Sequence, residues 1–108
     1  MILYGISTCD TCKKAQKALV AAGHNVTFRD VRAQPLTEAE IAEFVTEFGS
    51  GIVNRQSTTF RAMSDYLRNA EAEAQIAAQP TVMKRPVIRG PAGLTLGWSD
   101  EIAARHGA

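Results

Sequence analysis

Residues 1–23, MILYGISTCDTCKKAQKALVAAG, decide the fold. The opening MILYGI is a short apolar run bounded by Gly5 and Ser7, which reads as a buried strand. From Cys12 onward the period changes. Cys12, Ala15, Leu19 and Ala22 fall on one stripe at helical spacing, while Lys13, Lys14 and Lys17 point away from it. Gly23 stands where a C-terminal cap belongs, so this stretch is a helix that ends there. Just beyond it, NVTFRDV (25–31) places Val26 and Phe28 in period-two alternation, a second strand. Strand, helix and strand within roughly thirty residues make a βαβ unit, with parallel strands and a right-handed crossover expected.

The middle of the chain changes character. Thr37 and Glu40 form a capping box ahead of Ile41, Phe44, Val45 and Phe48, an apolar helical face that ends at Gly49. Another helix is expected to begin near Ser57 to Thr59, with Phe60, Met63 and Leu67 turned inward. The Ala/Glu/Gln-rich run NAEAEAQIAAQ (69–79) continues the helical propensity until Pro80 stops it. Residues 33–79 are therefore expected to be an all-helical insertion within a single domain spanning 1–108. TVMKRPVIRGPAGLTLG (81–97) then supplies two β-rich runs around Gly90-Pro91-Ala92-Gly93, a spacing suited to an antiparallel hairpin. Ser99 or Asp100 can cap a last short helix. The expected class is α/β: a β-α-β core, a helical insertion, a β-hairpin and a C-terminal helix.

At 108 residues and 45% hydrophobic content the chain is the size of one domain that buries its own core. Its twelve basic and eleven acidic side chains are interspersed and leave a formal charge of +1. No field of one sign favours direct binding to nucleic acid or to an anionic membrane. No apolar run approaches the ~20 residues needed to cross a bilayer, and the start has no signal-peptide pattern. A cytoplasmic, monomeric protein is the expectation. Two cysteines are too few for a secreted disulfide framework, so any disulfide between them is expected to be transient and functional.

Those cysteines are Cys9 and Cys12, a CxxC at the junction of strand and helix. A helix N-terminus offers unpaired N–H groups and partial positive charge, which stabilise a thiolate. Cys9 is the residue placed to benefit, and Lys13 and Lys14 add charge of the same sign while Asp10 opposes it. Cys12, inside the first turn and better shielded, suits a resolving thiol; its position on the apolar stripe equally suits packing. Only His24 and His106 remain as further soft ligands, neither at a zinc-site spacing, so no metal is expected. The polar Ser, Thr, Asp and Thr around Cys9 argue for a turn rather than for an inert core cysteine.

Four segments together resemble the arsenate reductase (ArsC) and Spx/MgsR family of thioredoxin-like proteins, and the pattern is most similar to YffB-type members. They are LYGISTCDTCKKAQKAL, FRDVR, VNRQSTTFR and KRPV, spread over nearly the whole chain. The resemblance implies a thioredoxin-like sheet with a helical insertion and makes Cys9 the catalytic cysteine. In the reductases the matching cysteine attacks arsenate and is resolved through glutathione and glutaredoxin. Arg55 and Arg85 match two arginines that hold the oxyanion, a task for which the planar guanidinium fork is suited. Pro86 matches the family's cis-proline opposite the cysteine. With Lys14 the best-placed lysine, the implied anion or glutathione site is Lys14, Arg55, Arg85 and Pro86.

The departures are equally specific. Trp98 stands where arsenate reductases have a third arginine, and Gly5 where they carry a histidine shortly before the cysteine. Cys12 matches a serine in glutathione-coupled arsenate reductases but a cysteine in Spx, whose pair switches contact with RNA polymerase. The leading expectation is a thiol-disulfide oxidoreductase with no bound cofactor, using glutathione as co-substrate on a small anionic or disulfide substrate. An Spx-like redox-sensing regulator is the alternative, and a true arsenate reductase ranks below both. Elsewhere, Arg29, Asp30 and Arg32 read as a surface ion-pair cluster. Ser57, Thr58 and Thr59 read as caps, Trp98 as an apolar anchor for the last helix, and His24 and His106 as residues without a catalytic task.

Overall fold

A computed structural model describes all 108 residues. The chain divides into two compact units, Met1–Val31 with Arg85–Ala108, and Arg32–Lys84.

The first unit is built on a four-stranded sheet of order β2-β1-β3-β4, formed by β1 (Ile2–Gly5), β2 (Thr27–Asp30), β3 (Val87–Gly90) and β4 (Gly93–Leu96). Strands β1 and β2 are parallel, and the other two pairings are antiparallel. The β-α-β core and the hairpin expected from the alternation are thus the architecture found. Helix α1 (Asp10–Ala21) connects β1 to β2, and its apolar stripe buries Cys12, Ala15 and Leu19 against Leu3 and Ile88. Met1, Val26, Phe28 and Trp98 pack around that cluster. Trp98 therefore anchors the sheet-facing core. Register aligns Phe28, Leu3, Ile88 and Thr95 across all four strands, one continuous row of one face. Tyr4 belongs to the opposite face, where the guanidinium groups of Arg29 and Arg89 lie 5.7 and 6.0 Å from its ring centroid.

The end of α1 is a Schellman cap. The Gly23 N–H donates to Val20 O at 3.0 Å and the His24 N–H to Leu19 O at 3.1 Å, with Gly23 at φ +94°, a conformation that glycine alone adopts cheaply. Ser99 caps the last helix, α6 (Asp100–Arg105), by accepting from the Ile102 N–H at 3.2 Å.

The second unit holds four helices: α2 (Glu38–Phe48), α3 (Thr58–Arg61), α4 (Asp65–Arg68) and α5 (Ala72–Ala78). Short 3-10 turns span Gly49–Ile52 and Pro80–Val82. The capping box of α2 forms as read: Glu40 N–H donates to Thr37 Oγ1 at 3.1 Å, and Thr37 N–H to Glu40 Oε1 at 2.8 Å. Ile41, Phe44, Ile52, Val53, Met63, Ile76, Val82 and Met83 are buried.

The expected helix running from Ser57–Thr59 through the Ala/Glu/Gln-rich run is instead three short ones. Ser57 caps α3 through the Phe60 N–H and Ser64 restarts the chain as α4 through the Leu67 N–H, so each serine offers the backbone a bond that competes with helix continuation. Long side chains meet the carbonyls left at the breaks. Arg68 donates to Arg61 O and Met63 O at 3.1 and 2.9 Å, and Gln75 to Leu67 O and Arg68 O at 3.0 and 3.1 Å. Of the three hydroxyls read as caps, only Ser57 caps; Thr59 instead bonds Thr81 at 2.8 Å. Val53 and Met83 also form an isolated antiparallel bridge that no local pattern announced.

Candidate active site

The turn between β1 and α1 carries the candidate site, and backbone bonds fix its course. The Cys9 N–H donates to Ile6 O at 3.0 Å, closing the turn, and the Lys13 N–H donates to Cys9 O at 3.0 Å, opening the helix. Cys9 is therefore the N-cap, with extended backbone at φ −84° and ψ 119°. Asp30, at the end of β2, accepts from the Ser7 N–H at 2.9 Å, and the Val31 N–H donates to Gly5 O at 2.9 Å. The strand that follows the helix thus holds the loop that precedes the cysteine. Asp30 is not merely part of a surface charge cluster.

Both cysteines are free thiols, Cys9 half-buried and Cys12 fully buried. Their environments drive them apart. Burial pushes the Cys9 thiol up, but hydrogen bonds from the N–H and the thiol of Cys12, together with the hydrogen bond and charge of Arg85, outweigh it and leave its pKa lowered. Cys12 is pushed up to about 11: burial raises it most, the Ile6 backbone hydrogen bond opposes that next, and the neighbouring Cys9 sulfur raises it further against the charge of Arg85. At neutral pH the pair is poised as one ionisable sulfur beside one protonated donor. Such a sulfur can attack an electrophilic sulfur or another soft centre.

Arg85 and Pro86 enter from the segment before β3, joined by a cis peptide bond, with Pro86 buried. Lys13, Lys14 and Lys17 are exposed along α1, Lys14 on the second turn's start. The first unit therefore brings together Cys9, Cys12 and Arg85. Arg55 belongs to the second unit, exposed in the turn between the Val53 bridge and α3. No group of three His, Cys, Asp or Glu side chains gathers where it could hold a metal ion. No helix is long and apolar enough to cross a membrane.

Residues 4–105 match the ArsC family. The chain belongs to the ArsC family. An uncharacterised protein of Haemophilus influenzae is 34% identical over 106 residues, covering 92% of this chain and 91% of that one. The solved structure of the protein named YffB superposes with a TM-score of 0.88 at 30% identity, covering 99% of this chain and 98% of that one. The global transcriptional regulator Spx 2 of Lactococcus lactis is 27% identical over 107 residues, 92% of this chain and 80% of the regulator. The expected thioredoxin-like architecture of the ArsC and Spx relatives, in its YffB-like branch, is the fold of this ArsC-family chain.

Two residues of this ArsC-family site were not assigned from sequence. Asp30 sits in a charged run whose nearest neighbours gave no hint of its bond to Ser7, twenty-three residues away. Gly5 read only as a departure from the arsenate reductase pattern, and its place beneath Cys12 emerges from the packing alone.

Proposed function

We propose that this ArsC-family protein is a glutathione-dependent thiol-disulfide oxidoreductase in which Cys9 is the nucleophile. The observation that carries the reading is the electrostatic setting of Cys9: an N-cap sulfur accepting from Cys12 and Arg85, with its pKa lowered despite burial. The thiolate attacks the glutathionyl sulfur of a mixed disulfide, a Cys9–glutathione disulfide forms, and the product leaves as a thiol. A thiol then releases glutathione from Cys9. Arg85 faces the sulfur and can meet a glutathione carboxylate in two-point fashion; Lys14 adds a long-range positive charge. For Arg55 the support is its match to the family motif. Glutathione or a small anionic disulfide is the partner in this reading, glutaredoxin a further one, and the cytoplasm the compartment.

Cys9→Ser is expected to reduce turnover of a small glutathione mixed disulfide to the uncatalysed rate, while the folded state survives. Glutathione titration followed by residue-level chemical shifts is expected to perturb Cys9, Arg85 and Pro86, and a flat response there would sink the site. The second reading, a redox-sensing regulator that binds RNA polymerase, is favoured by the Spx relatives and by a cysteine at position 12. It predicts polymerase capture that depends on whether the Cys9–Cys12 pair is oxidised, without turnover. Gly5 and Trp98 leave the arsenate pattern incomplete, and arsenate reduction ranks third.

A further inference from the structure

Cys12 is a donor to Cys9 in the chemistry above, and its surroundings show what holds it in place. It lies in the first turn of α1, fully buried among Leu3, Ala15, Leu19 and Ile88. Gly5 closes the far side of that recess. A Cβ at Gly5 would stand 2.6 Å from Cys12 Sγ, and 3.1 Å from both Cys12 Cβ and Leu3 Cδ2. Atoms do not approach that closely, so a methyl group would displace the sulfur. Gly5 is not among the positive-φ glycines, and it pairs in regular register with Asp30. Its missing side chain therefore serves space and not backbone freedom.

The recess holds Cys12 in the first turn after the N-cap Cys9, and Cys9 packs against the same cluster, so the Cys12 thiol is the side-chain donor beside the Cys9 sulfur. A thiol sealed in an apolar cluster is a poor nucleophile, because attack requires the thiolate. We propose that Gly5 and Cys12 are positioning residues: Gly5 leaves the seat in which the Cys12 S–H donates to the Cys9 thiolate, and a second, external glutathione resolves the mixed disulfide.

This rests on the oxidoreductase reading and assigns its second half-reaction. First the Cys9 thiolate attacks the glutathionyl sulfur of the substrate disulfide; the S–S bond breaks, and the departing thiolate takes a proton from solvent. Then an external glutathione thiolate attacks the glutathionyl sulfur on Cys9, giving oxidised glutathione and returning the Cys9 thiolate. The mixed disulfide and one external glutathione thus become a free thiol and oxidised glutathione, one S–S bond breaking as another forms, with Cys12 remaining S–H throughout.

Two readouts on the full-length protein separate this from its foundation. The first is the pH dependence of Cys9 alkylation, which needs no substrate. Gly5→Ala and Cys12→Ala are each expected to cut the thiolate fraction at neutral pH by roughly three- to tenfold. Adding Gly5→Ala to Cys12→Ala should then change little more, because the seat is already empty. An unmoved Gly5→Ala profile, or shifts that simply add, would overturn the proposal. The second is turnover with glutathione. Cys12→Ser should restore most of the kcat/KM lost in Cys12→Ala, since a hydroxyl donates but cannot resolve a disulfide; equal loss in both variants overturns external resolution. Absence of turnover in the parent protein would refute the oxidoreductase reading itself, and the alkylation profiles would still judge the seat.

Discussion

At the scale of single residues, the site is a contest between desolvation and donors, in which the N–H and thiol of Cys12 weigh most and Arg85 adds to them. Burial alone would hold Cys9 as a thiol, and the guanidinium supplies both a hydrogen bond and a charge to the thiolate. Removing it removes stabilisation of the ionised form only, so the pKa must rise. Arg85→Ala is expected to slow alkylation of Cys9 at neutral pH by roughly three- to tenfold, and Arg85→Lys to recover part of that loss by restoring charge without the planar fork. Alkylation rates measured from acid to alkaline pH check both, and a rate that falls equally at every pH would point to access instead of ionisation. Cys9 and Arg85 were legible in the sequence because each sits in a short motif, STCDTC and KRPV. Asp30 and Gly5 were not, because their partners, Ser7 and Cys12, are brought to them only by the pairing of β1 with β2 and the packing of α1.

At the scale of elements, local signals were sufficient wherever a helix carries its own punctuation. Thr37 and Glu40 announce the start of α2, and the reciprocal bonds are both made. Thr37→Ala removes the acceptor for the Glu40 N–H and is expected to cost about 1 kcal/mol. It should lower the urea midpoint followed by far-ultraviolet circular dichroism, and Thr37→Ser should largely restore it. Because the cap lies in the second unit, Cys9 alkylation should be unaffected. The segment 57–79 shows the converse. Its composition favours one helix, yet Ser57 and Ser64 divide it, with Arg68 and Gln75 reaching along the chain to carbonyls at the breaks. Helix propensity is a sum over residues and does not register side chains that make ending a helix as favourable as continuing it.

At the scale of the whole molecule, the order of elements was readable from periodicity, whereas the tie between the last helix and the sheet was not. His106, at the C-terminal cap of α6, is buried, and its Nε2 lies 2.7 Å from Thr95 Oγ1 on β4, while Nδ1 has no partner. In sequence it is a lone histidine two residues from the C-terminus, with nothing to mark its burial. Gly90 makes the close approach possible, since a Cβ there would lie 3.3 Å from Nδ1. Burial, then the charge of Arg105, then His24 lower the His106 pKa below its ordinary 6.5. The unfolded chain therefore binds a proton at His106 more readily than the folded one does. Its contribution to stability is complete above about pH 6.5 and is lost as pH falls from there through the folded-state pKa. Trp98 is the only tryptophan and packs on the core of the same unit, so its fluorescence reports this unfolding. Urea midpoints read by Trp98 should fall between pH 7.5 and pH 5, and His106→Gln should start lower at pH 7.5 but decline less steeply. If the two proteins lose stability in parallel across that range, the buried imidazole is not what ties the fold of this unit to pH.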